Sequence, residues 1–134
     1  MPLLLTTKPP KEIERWIFHV VILSWYDGDT ATVDMRLGMK FRAEMRLRLA
    51  HVNCDEIDSK DPAVRARAVA ARDRSAELCP PGTELVIETT KPDPRDKFER
   101  YLTEIPVTVN GVIRPLSAVL IEEKLGVPYE GGKR

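Results

Sequence analysis

The stretch Met39-Lys40-Phe41-Arg42-Ala43-Glu44-Met45-Arg46-Leu47-Arg48-Leu49-Ala50-His51-Val52 alternates apolar and charged residues along most of its length. Side chains two apart on a strand point the same way. Phe41, Ala43, Met45, Leu47 and Leu49 therefore share one face, and Lys40, Arg42, Glu44, Arg46 and Arg48 the other. The stretch is read as one long strand. Upstream, Trp16 to Trp25 is rich in β-branched and aromatic residues and reads as a first strand. Asp27-Gly28-Asp29 is turn chemistry, Thr30 to Leu37 a second strand, and Gly38 a hairpin turn.

Downstream, the polar loop Asn53 to Asp61 leads into a helix with Asp61 as its cap and Pro62 at its first position. That helix is expected to reach Cys79, where Pro80-Pro81-Gly82 stops it. Thr83 to Thr90 reads as a fourth strand, Lys91 to Arg95 as a loop, and Arg100 to Val109 as a fifth strand. Asn110-Gly111 is a turn, and Pro115 to Leu125 a short second helix ended by Gly126. The predicted fold class is α+β, mainly β, with five strands and two helices. That order suits a small closed barrel of the OB type; an open α+β sandwich would give a similar string.

The chain has 134 residues, enough for one domain with a core that needs no disulfide staple. The expected division is a flexible tail at 1–14, the domain at 15–130 and a basic tail at 131–134. No apolar run approaches the roughly 20 residues of a membrane span. No export signal is evident, and the two cysteines, Cys54 and Cys79, lack metal-ligand spacing. Reduced thiols and a cytoplasmic location are expected. Lys and Arg balance Asp and Glu at 21 each, which argues against a general nucleic-acid coat protein. The charges are clustered, however. Acids gather from Asp27 to Asp61, and arginines flank them on both sides.

Asp29 in its Asp-Gly-Asp turn is either a plain turn residue or an oxygen ligand for a hard cation. Arg48 is either a surface charge or a bidentate phosphate donor. In the cluster Asn53-Cys54-Asp55-Glu56, Asn53 offers a neutral oxygen to a metal and Glu56 a base for water. Arg100 gains meaning if the fold brings it opposite Arg48, because two cations about one phosphate stabilise a five-coordinate transition state. His19 and His51 fall within expected strands with no ligand pattern and are read as structural.

Asp-Gly-Asp-Thr at 27–30, Arg48 followed eight residues later by Glu56, and Asp-Lys-Phe-Glu-Arg ending in Arg100 occur together and in order. In this the chain resembles the staphylococcal nuclease (thermonuclease) family from about Trp16 to Tyr129. The resemblance implies an OB-fold domain that hydrolyses DNA or RNA with Ca²⁺, leaving a 3′-phosphate. It implies Asp29, Asn53 and the Cys54 carbonyl as calcium ligands, and Arg48, Glu56 and Arg100 as catalytic residues. Lys97 and Tyr129 would contact substrate. Neither a membrane nor an obligate protein partner is implied. The chain departs from the family pattern at Asn53, where the best-known member has aspartate, at Asp55, where proline is usual, and at Glu99, where glycine is usual. The first departure implies weaker calcium binding unless Asp55 restores the charge. Two rival readings stand beside the enzyme: a non-catalytic OB module binding nucleic acid or protein, and an unrelated α+β domain.

Overall fold

The computed structural model describes residues 16–90 and 100–129. The expected tails, the Lys91–Arg95 loop and Lys97 lie outside them. Five strands carry the architecture: β1 (Trp16–Asp27), β2 (Thr30–Gly38), β3 (Phe41–Leu49), β5 (Glu84–Thr90) and β6 (Tyr101–Thr103). β1, β2 and β3 form an antiparallel meander, β6 joins β3 in parallel, and β5 pairs antiparallel with both β6 and β1. The hydrogen-bonded ladder thus returns to its starting strand. A mainly β, α+β domain results, as the patterning implied.

The alternation in β3 has the expected consequence at its inner end. Leu47 and Leu49 are fully buried beside Val20, Ile22 and Val33. Phe41, at the hairpin end, stays exposed. A cavity of about 310 Å³ opens inside the strands, lined by Trp16, Phe18, Met45 and Tyr101 among others. Its walls are almost wholly apolar, and no candidate catalytic residue lines it.

Helix α1 (Pro62–Leu78) begins as expected: Asp61 accepts a hydrogen bond from the Ala63 amide at 2.9 Å, and Pro62 occupies the first turn. Its buried residues are small, namely Ala68, Ala71 and Ser75. Small side chains let the helix approach the β1–β2 turn closely. Ser75 Oγ donates to the Gly28 carbonyl at 2.8 Å, and a Cβ on Gly28 would lie 2.7 Å from the Ala71 methyl. Trp25 Nε1 donates to the Cys79 carbonyl at 2.8 Å, tying the other end of the helix to β1.

Three expectations need correction. The long strand from Met39 to Val52 is broken. Met39 and Lys40 form the hairpin turn with positive φ, and β3 ends at Leu49. His51, in a turn at φ 70° rather than in a strand, redirects the chain into β4 (Val52–Asn53). β4 pairs instead with β9 (Val127–Pro128). The fifth strand also divides. β6 stops at Thr103, and β7 (Pro106–Val109) forms a separate hairpin with β8 (Val112–Pro115) through the Asn110-Gly111 turn. Pro106 lacks an N–H to continue a ladder. Finally, α2 (Leu116–Glu122) is shorter than expected. Lys124 turns left-handed at φ 60°, before Gly126 is reached. Gly126 serves a different need: a Cβ there would lie 2.6 Å from Val52 Cγ2.

Candidate functional site

The site is assembled on the outer surface of β2 and β3. Asp29 ends the β1–β2 turn, and its carbonyl accepts from the Leu49 amide at 2.8 Å. That bond fixes the turn against the end of β3. The His51 turn then folds Asn53 and Cys54 back toward Asp29, so the Cys54 amide donates to Asp29 Oδ2 at 3.0 Å. β9 pairs with β4 and delivers Tyr129, whose amide donates to the His51 carbonyl at 3.0 Å. The parallel register of β6 places Tyr101 beside Leu47 and brings Arg100 to the same end.

Arg48 occupies the centre. It is not a solvated surface charge: its side chain is 3% exposed, and that of Asp29 is 5% exposed. Arg48 Nη2 donates to Asp29 Oδ2 at 3.5 Å and to Asn53 Oδ1 at 3.2 Å. Its guanidinium carbon lies 4.7 Å from the centre of the Tyr129 ring. Arg100 Nη1 donates to Thr30 Oγ1 at 3.0 Å, and that hydroxyl donates onward to Asp29 Oδ1 at 3.2 Å. Two guanidinium groups from distant segments thus converge on Asp29, one directly and one through Thr30. Arg100 is half-buried.

The acidic side is unusual. Asp27 is buried next to Asp29, and the Asp29 amide donates to Asp27 Oδ1 at 3.3 Å. Burial first, then the hydrogen bond and charge of Asp29, raise the Asp27 carboxyl to about 7. Burial, reinforced by the charge of Asp29, pushes the Cys54 thiol up and makes it a poor nucleophile. Both cysteines are buried free thiols. The Cys54 sulfur lies 2.9 Å from where a Cβ on Gly28 would stand, so it packs beneath the turn.

Glu56 stands exposed two residues beyond Cys54. Its loop is held on both sides. Arg67 of α1 donates to Asp55 at 2.9 Å, and the Tyr26 hydroxyl donates to Asp58. The Asp55 charge is thus engaged by Arg67 rather than turned to making up for Asn53. Arg46, two residues before Arg48 on the same strand, lies outside the buried cluster with its guanidinium carbon 4.9 Å from the Tyr26 ring centre.

Asp29, Asn53, Cys54, Arg48, Arg100 and Tyr129 come together in one contact network. Sequence reasoning gave no role to Thr30, Tyr26, Asp58 or Arg67. The only local signal for the first two was their adjacency to Asp27 and Asp29. Among the described residues, no group of three or more His, Cys, Asp or Glu side chains could hold a metal. The oxygen donors present are the Asp29 carboxylate, the Asn53 amide and main-chain carbonyls. Asp29 and Asn53 direct oxygens at one point, now filled by a guanidinium nitrogen. One carboxylate and one amide oxygen, from Asp29 and Asn53, thus face the buried Arg48 guanidinium; a hard cation there would draw the rest of its shell from main-chain carbonyls and water.

No family model matches the chain, and no curated protein matches it. Among the described residues, no helix is long and apolar enough to cross a membrane.

Proposed function

We propose that this protein is a calcium-dependent endonuclease of the thermonuclease type, folded as an OB barrel and acting on DNA or RNA with little sequence preference. The convergence of Arg48 and Arg100 on Asp29 and Thr30 is the observation that carries this reading. Arg100, half-buried, meets the scissile phosphate first. Arg48 would join it on turning its guanidinium from Asp29 and Asn53 to the phosphate. Both then take up charge that develops on the phosphoryl oxygens. Asp29, Asn53 and the Cys54 carbonyl would hold calcium in place of the Arg48 nitrogen that the two side-chain oxygens now bind, and calcium when bound neutralises phosphate charge and positions it. Glu56, an exposed residue of the adjoining loop, would accept a proton from the attacking water. Arginine is too weak an acid to protonate the leaving oxygen, so solvent supplies that proton. The cytoplasm is the proposed setting, in keeping with two buried free thiols.

A plasmid-nicking assay tests the proposal. Nicking with Ca²⁺ should stop with EGTA, and Glu56→Gln should lower the rate by about 10²–10⁴-fold. The near-complete burial of Arg48 favours a second reading, in which the Asp29–Arg48 pair is structural and the domain binds without cutting. Nucleic-acid binding that is indifferent to Ca²⁺, with no nicking, would decide for that reading.

A further inference from the structure

We propose that Tyr26 and Arg46 form a second nucleotide subsite, adjoining the cleavage site, that takes one unstacked base of the substrate strand. The inference rests on the endonuclease reading above.

Its basis is register. Thr30 pairs with Arg48 and Thr32 with Arg46, so Arg46 is the next residue on the same outer face of β3. Two residues of strand span roughly 6.6 Å, a step that one extended nucleotide linkage can bridge. Across β2, Ser24 pairs with Thr32, which brings the end of β1 and Tyr26 to the same place. The Arg46 guanidinium lies over the Tyr26 ring at 4.9 Å, and both side chains stand on the surface, Tyr26 being 36% exposed.

The chemistry of the pair selects its ligand. A planar cation against an aromatic ring makes a flat platform, and bases stack on both aromatic rings and guanidinium planes. The neighbouring charges oppose a pure phosphate site. Asp58 accepts from the Tyr26 hydroxyl, and Glu44 is the next residue along this face of β3. Binding here therefore comes from a base face, with Arg46 attracting the adjoining phosphate. A base inside a duplex cannot reach such a platform, so the subsite takes single strands or locally opened duplex.

The test uses the Glu56→Gln protein with Ca²⁺ and a fluorescent single-stranded oligothymidylate, read by anisotropy. Adding Tyr26→Ala or Arg46→Ala should weaken binding roughly ten- to a hundred-fold. Tyr26→Phe keeps the ring but loses the bond to Asp58, and should retain most of the affinity. Thermal melts check each fold, and Arg46→Gln replaces any alanine variant that does not fold. Parent-like affinity in both the Tyr26 and Arg46 variants would overturn the subsite and leave the endonuclease reading intact. Equal loss in Tyr26→Phe and Tyr26→Ala would overturn it too, by assigning Tyr26 to loop support. A Glu56→Gln protein that does not bind, together with a native protein that does not cut, would remove both proposals.

Discussion

Replacing Arg48 with methionine removes a guanidinium whose nearest carboxylate oxygen is 3.5 Å away, between side chains 3% and 5% exposed. At that distance the gross attraction is about 5 kcal/mol for an effective dielectric of about 20. Desolvation of both groups offsets much of it in the intact protein. The loss of one partner is a different matter, because Asp29 is then left charged and buried. Truncating one side of such a pair costs about 3–5 kcal/mol. The Cys54 amide and the Thr30 hydroxyl still donate to Asp29, which holds the expected loss near the lower end of that range. Asp29→Asn removes the stranded charge. In that background Arg48 is itself a buried charge without a carboxylate, so Arg48→Met should cost at most about 1 kcal/mol, the loss of its bond to Asn53 and its contact with Tyr129 being offset by relief of that charge. Urea unfolding of the four proteins, followed by circular dichroism, closes the cycle. A coupling of about 2 kcal/mol is expected. Additivity within about 0.5 kcal/mol would refute the claim that Asp29 and Arg48 act as one buried unit.

Gly28→Ala should destabilise by about 1–3 kcal/mol in thermal or urea unfolding, since its methyl would meet Ala71 Cβ at 2.7 Å and the Cys54 sulfur at 2.9 Å. It should also lower nicking more than its stability loss explains, because the displaced turn carries Asp29. Ser75→Ala leaves the Gly28 carbonyl without the hydroxyl that now donates to it at 2.8 Å, in a fully buried position. A loss of about 1–3 kcal/mol is expected in the same measurement; a neutral result would mean that water replaces the bond.

Local pattern was sufficient wherever one segment carried its own instructions. The alternation from Phe41 to Leu49 gave a strand with Leu47 and Leu49 inward. Asp61 and Pro62 started α1 at the expected residue, and Asn110-Gly111 turned the chain. The break at Ala50–His51 was invisible because the apolar periodicity runs on to Val52 while the partner strand changes. Only the pairing of Val52 and Asn53 with Pro128 and Val127 explains why the chain turns there.

The candidate site divides in the same way. Residue types, their order and the turn at Gly28 are written in the chain, because oxygen ligands, guanidinium donors and turn formers are properties of single residues and their close neighbours. The burial of Arg48, its sharing between Asp29 and Asn53, the reach of Arg100 to Thr30 and the engagement of Asp55 by Arg67 are not. Each depends on groups 5 to 70 positions apart in sequence meeting in space. Strand periodicity tells which face a side chain takes. What then covers that face was decided by the His51 turn, β9 and α1, and so by tertiary packing alone.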